Sequence, residues 1–174
     1  METTLYEFSF NYAGFVGIIV PLFISVVIFF ADKIVGKRMT SKPATPISAK
    51  EISPKTFKIF TRILGGFLSV ACFLFVVSYI KEYRDYKTKL DNDDVFVAEG
   101  YVTNYKEYST IEKTPESFEI DGVCFAYSER DETNGYHSIA GHGGVITHNG
   151  QHLKIKYVTN EWGENVILAI YEIK

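Results

Sequence analysis

Apolar positions in this chain fall first into two long runs and then into short alternations. AGFVGIIVPLFISVVIFFA, from Ala13 to Ala31, and ILGGFLSVACFLFVVSYI, from Ile63 to Ile80, contain no charged residue. Each approaches the roughly 20 apolar residues a helix needs to cross hydrocarbon, so both read as transmembrane helices. Pro21 predicts a kink or a loosened turn in the first. The second run continues as KEYRDYKTKL with no Gly or Pro to stop it, which extends the helix to Leu90. Steps of four and three along one face select Gly65, Ser69, Cys72, Val76, Tyr79, Tyr83, Tyr86 and Leu90. Small residues occupy the membrane half, where backbones approach closely, and larger ones the aqueous half, where burial supplies the driving force. The stripe reads as a seam between copies of the chain, and a homo-oligomer is expected.

After DNDD the period changes to two. VFVAEGYVTNY reads as one strand, and SFEIDGVCFAY as a hairpin turning at Asp121-Gly122. A further strand places Leu153, Ile155 and Tyr157 inward, and VILAIYEI is apolar on both faces, as a central or subunit-contacting strand would be. The fold class is therefore membrane α + β: two transmembrane helices followed by a small, mostly-β C-terminal domain, an OB-like partly open barrel or curled sheet. The expected divisions are an N-terminal tail over 1–12 and a first transmembrane helix over 13–31. A basic flexible loop over 32–57, a second helix with an aqueous extension over 58–90, and a β-rich domain over 95–174 complete them.

Composition changes this picture little, because a net charge of −3 and 47% hydrophobic residues average over unlike halves. Charge distribution matters more. Lys33, Lys37, Arg38, Lys42, Lys50, Lys55, Lys58 and Arg62 lie between the spans against only Asp32 and Glu51, while residues 1–12 have no basic side chain. The positive-inside rule puts that loop in the cytoplasm and both termini outside an inner, plasma-type membrane. In the tail, Tyr6, Phe8, Phe10 and Tyr12 read as an aromatic collar at the interface. The missing basic n-region argues against a cleaved signal peptide. Cys72 and Cys124 are badly placed to pair, so no disulfide framework is expected.

All four histidines, His137, His142, His148 and His152, fall in YHSIAGHGGVITHNGQH. Their spacing matches no familiar ligand set, so neither a metal nor another cofactor is expected. Gly141, Gly143 and Gly144 permit backbone angles that turn successive N–H groups toward one point. That makes an anion nest beside His142 and His137 the favoured binding site, with Arg130, Lys154 and Lys156 as further cationic lining. Cys124 reads as a buried, inert thiol and Ser128 to Glu132 as a solvated charged run, so no catalytic group is assigned. Acidic residues outnumber basic ones about two to one after Val95, which argues against duplex nucleic acid as a partner.

The series E-S-F-x-I-D-G-V-x-F-x-Y-S, then G-Y-H-x-x-x-G-H-G-G-x-I, L-x-I-x-Y and N-x-I-L-x-I resembles a bacterial family of small membrane-anchored proteins. The likeness runs from about Glu99 to Ile173, and its recurrent marks fall on Tyr127, Ser128, His142, Gly143 and Gly144. It implies a shared domain rather than an activity. The layout also looks like CRISPR-associated two-pass membrane effectors, which bind cyclic tetra-adenylate in a cytoplasmic domain and perturb their helices in antiviral defence. That likeness implies the opposite orientation to the one the basic loop gives. The resulting expectation is a non-enzymatic membrane sensor or effector that binds a small polar, anionic or nucleotide ligand. The alternative is an extracytoplasmic envelope adaptor or assembly factor binding a partner protein.

Overall fold

A computed structural model describes residues 1–10, 12–30, 54–130 and 134–174. Most of the basic loop, and Asp131 and Glu132 of the charged run, lie outside them. The chain divides into two compact units, Tyr12–Tyr79 on one hand and Met1–Asn11 with Ile80–Lys174 on the other.

The first unit is a helix pair. Helix α1 covers Tyr12–Phe29 with Pro21 inside it, and α2 runs from Pro54 to Asp91, contributing its part up to Tyr79 here. Gly65 meets the backbone of Phe29 so closely that a Cβ there would stand 2.6 Å from the Phe29 nitrogen. One turn on, the Ser25 and Ser69 hydroxyls lie 3.1 Å apart, and each also donates to a carbonyl of its own helix, at Leu22 and Gly65. Tyr79 stacks on Phe15 with ring centres 6.2 Å apart. The small-residue half of the stripe thus faces α1 of the same chain. Outside the seam Phe67 is 71% and Phe75 69% exposed, with Ile63, Val70, Phe73 and Leu74 also bare. So much contiguous apolar surface is stable only when something other than water covers it.

The second unit is β-rich and is closed by the N-terminus. Strands β1 (Glu2–Glu7), β2 (Phe96–Tyr101), β6 (His152–Thr159) and β7 (Asn165–Ile173) form an antiparallel sheet in the order β1-β7-β6-β2. Strands β3 (Thr103–Lys106), β4 (Glu116–Ile120) and β5 (Val123–Tyr127) form a second sheet in that order. The β4–β5 hairpin turns on Asp121 and Gly122, at φ of 51° and 76°, which pairs Phe118 with Phe125. Between the sheets lies a core of Val102, Phe118, Ile120, Phe125, Leu153, Ile155 and Ile170, with Tyr136, Ile139 and Ile146 added from the β5–β6 connection.

Neighbouring residues Ile167 and Leu168 on β7 enter different cores, as strand alternation requires. Leu168 joins Phe8, Val158 and Tyr86 on the other face of the four-stranded sheet, with Tyr83 and Leu90 packed beside them. The aqueous end of α2 therefore lies on its own β-unit. Phe8 meets Tyr83 at 5.3 Å and Tyr86 at 6.2 Å, and Phe10 meets Tyr83 edge-on at 5.0 Å. Each side chain fully buried in such a contact contributes about 1.5–3 kcal/mol.

The expected fold class is corrected on three points. Among the described residues one helix, over Ile59–Asp91, is long and apolar enough to cross a membrane; the apolar helix over Phe15–Phe29 is shorter. Residues 2–7 are not a tail but a strand, bonded to β7 from Glu2↔Ile173 to Glu7↔Ala169, so the β-unit does not simply follow the helices. Two sheets replace the single curled sheet or OB-like barrel, because the stretch read as one strand breaks at Val102. There β2 leaves one sheet and β3 enters the other, while Val102 donates to the Gln151 carbonyl and accepts from the Gly150 N–H. The stripe from Gly65 to Leu90 is covered largely by residues of the same chain and gives no support to a seam between copies.

Candidate functional site

The His-Gly-Gly turn follows Ile139, whose burial fixes the start of a 3-10 turn over Ala140–His142. The N–H groups of His142 and Gly144 donate to the Ile139 carbonyl at 3.0 and 2.9 Å, and that of Gly143 to the Ala140 carbonyl at 3.2 Å. These donors are spent inside the turn and do not converge on an external point. Gly143 adopts φ of 89°, which explains one glycine. Gly144 is needed for a different reason: a Cβ there would lie 2.3 Å from the Ser138 carbonyl oxygen. At Gly141 a Cβ meets nothing. The His142 ring contacts the Glu129 carboxylate at 2.6 Å, exposed to solvent.

Lys154 and Lys156 alternate with the buried Leu153 and Ile155, so they occupy the sheet face opposite the core in which Ile139 is packed. Lys154 pairs with Glu2 at 2.9 Å and Lys156 with Asp93; these bonds raise both lysine pKa values and lower that of Asp93. The lysines tie β6 to β1 and to the end of α2. They do not line a pocket with His142. The histidines disperse likewise: His148 contacts Thr147, His152 stacks on Tyr101 at 4.5 Å, and His137 Nδ1 lies 2.9 Å from the Gly135 carbonyl. Among the described residues no three His, Cys, Asp or Glu side chains gather as a metal site would require. Cys124 is exposed rather than buried, and its thiol, 3.4 Å from Glu119, is pushed up in pKa first by that hydrogen bond.

Two of the candidate residues do come together. Arg130 and His137 line a cleft of about 430 Å³ with Asn134, Trp162 and Glu164. That volume falls in the range of small-molecule sites, about 300–1,000 Å³. Its wall is positioned by the Tyr136 N–H donating to the Ile167 carbonyl at 3.0 Å, by Tyr136 Oη accepting from the Val145 N–H at 2.6 Å, and by the buried Ile167. Trp162 and Glu164 come from the β6–β7 turn, where Asn160 Oδ1 accepts the N–H groups of both residues and Gly163 adopts φ of 80°. Asn134, 1% exposed, donates from Nδ2 to the Glu82 carboxylate at 2.8 Å, and Tyr86 Oη donates to the same carboxylate at 3.1 Å. The cleft wall is thereby bonded to α2.

On the other side of Tyr127 lies a fully buried carboxylate. Glu116 accepts from Tyr127 Oη at 2.6 Å and from the Ala140 N–H at 2.9 Å. Burial and then this bond push the Tyr127 pKa far up, and burial with the Glu116 charge raises Tyr105 to about 12. Both Glu116 oxygens thus serve the chain itself, holding the turn's first residue to β4. Composition and spacing single out none of Glu82, Glu116, Asn134, Trp162 and Glu164. The only prior signal is a lone tryptophan within an otherwise polar turn, TNEWGEN.

No family model, no curated protein and no solved structure matches this chain. The resemblances read from its motifs and layout rest on the sequence alone.

Proposed function

We propose that this chain is a non-enzymatic membrane-anchored sensor whose β-unit takes a small polar or anionic ligand in the Arg130–His137 cleft. The ligand-induced change is passed along α2. The observation that carries the reading is the bond from Asn134, on the cleft wall, to Glu82, on a helix whose apolar part is long enough to cross a bilayer. A ligand that shifts Asn134 acts directly on the carboxylate that also holds Tyr86. The apolar surface of α2 is the anchor.

The experiment combines an alkaline carbonate wash of membranes containing the full chain with a thermal-shift series on the solubilised protein. Phosphate, sulfate, citrate and mononucleotides are the added anions. Retention in the washed membrane, together with a rise in Tm that Arg130→Gln removes, supports the reading. Release by the wash, or a rise that Arg130→Gln leaves intact, refutes it. A second reading, an adaptor that binds a partner protein, is favoured by the edge strand β2, whose Phe96, Val97 and Tyr101 are at least half exposed. That reading predicts lost partner capture in Val97→Lys and no anion-dependent shift.

A further inference from the structure

Within that reading, we propose that the cleft selects an anion carried on a flat ring, with its charge on Arg130 and its ring on Trp162. Most polar groups around the cleft are already committed. Tyr127 Oη donates to Glu116, Tyr136 Oη accepts from Val145, and Asn165 donates to the Cys124 carbonyl while accepting from Thr159. Since a carbonyl can only accept, the His137 Nδ1 carries the proton it gives to Gly135, which leaves the Nε2 lone pair to accept a ligand N–H. Among the described residues the Arg130 guanidinium has no ion-pair partner, and its planar fork suits a phosphate or carboxylate.

Trp162 supplies the second half of the argument. It is 83% exposed, on a turn whose backbone is fixed by the two bonds to Asn160. A large aromatic face held open at the mouth of a polar cleft matches a flat, polarisable ring. Glu164 accepts from Asn160 through Oε2, which leaves Oε1 to accept an N–H from that ring. Positive fork, indole face and single carboxylate define a ligand with an anionic end and a nitrogen-bearing ring. Ring phosphates and ring carboxylates share this chemistry.

Trp162 is the only tryptophan in the chain, so its fluorescence reports on this cleft alone. The test titrates the solubilised full chain with AMP, orotate, adenosine and inorganic phosphate, following emission and, in parallel, heat. Saturable quenching by AMP, by orotate or by both is expected, and which one quenches separates the two sources. Phosphate and adenosine should bind about tenfold or more weakly than AMP. Calorimetry on Trp162→Phe, which keeps a ring, should stay within about threefold, and Trp162→Ser should lose about tenfold, as should Arg130→Gln. Both positions are exposed, so the variants fold. If phosphate binds in an Arg130-dependent way while no ring compound quenches Trp162, the ring proposal is overturned and the anion-sensor reading survives. If neither anions nor rings bind, both fall.

Discussion

Replacing Glu116 by Ala removes the acceptor shared by Tyr127 Oη at 2.6 Å and the Ala140 N–H at 2.9 Å, in a site with no solvent exposure to compensate. Hydrogen bonds to a charged acceptor contribute about 1.5–3 kcal/mol each, and the donors left behind pay their own desolvation. The Glu116→Ala variant should therefore lose about 3–5 kcal/mol, a large part of the stability of a unit this small. Glu116→Gln keeps the shape and one oxygen but turns an NH₂ toward the other donor, and should lose about half as much. Urea unfolding of the solubilised full chain, followed by circular dichroism, measures both. The order Ala worse than Gln, with a coupling between Glu116→Gln and Tyr127→Phe in a double-mutant cycle, is the signature of the shared acceptor. An Ala variant within about 1 kcal/mol of the parent would refute the reasoning.

Alkaline pH provides a second check, since Tyr6, Tyr105 and Tyr127 all have raised pKa values, mainly through burial. Their contribution is present below the unfolded value near 10 and is lost as pH rises above it. Tyr6 and Tyr127 together should give a fall of about 3 kcal/mol per pH unit there, with a smaller addition from the more exposed Tyr105. Flat stability between pH 10 and 12 would contradict this. Gly144→Ala should destabilise the β-unit by about 2 kcal/mol, because its Cβ would strike the Ser138 carbonyl, whereas Gly141→Ala should be neutral in the same urea assay. Compartment-specific reporters fused at Met1 and at Lys174 should give the same result as each other, because β1 and β7 share one sheet.

The legible parts of the fold were the local ones. Asp121-Gly122 announced its hairpin because two adjacent residues with positive φ are a backbone requirement that few pairs meet. The two-sided apolarity of β7 followed from its place between β1 and β6. The alternation Tyr6, Phe8, Phe10 is equally a strand signal, but beside an apolar helix it also fits an interfacial collar. Only the pairing of Glu2 with Ile173, across nearly the whole chain, decides between them. The stripe on α2 reads from the sequence as a seam between copies of the chain. Its partners, Phe29 in one unit and Phe8 and Leu168 in the other, are distant in sequence, and periodicity names a buried face without naming what buries it.

The candidate site was legible in part. Arg130 and His137 share a cleft because Tyr136, between them, is anchored to β7, a contact no spacing rule anticipates. Glycine density drew attention to the His-Gly-Gly turn, but backbone freedom is needed both for binding loops and for tight turns. Here Gly143 and Gly144 are explained by the turn's own geometry. Lys154 and Lys156 were grouped with it by sequence proximity, which strand alternation and the intervening sheet undo.

The central claim is that α2 links a membrane anchor to a ligand-binding β-unit as one helix gripped at its aqueous end. Hydrogen–deuterium exchange of the full chain in lipid bilayers tests it most directly. The amides from Ile63 to Ile80 should exchange slowly because lipid covers them, and those from Lys81 to Leu90 should be slow as well, because Tyr83, Tyr86 and Leu90 pack on the sheet. Protection of the second stretch should fall in Leu168→Ala, which empties that contact. Exchange of Lys81–Leu90 as fast as a bare surface helix, while the sheet stays protected, would contradict the account.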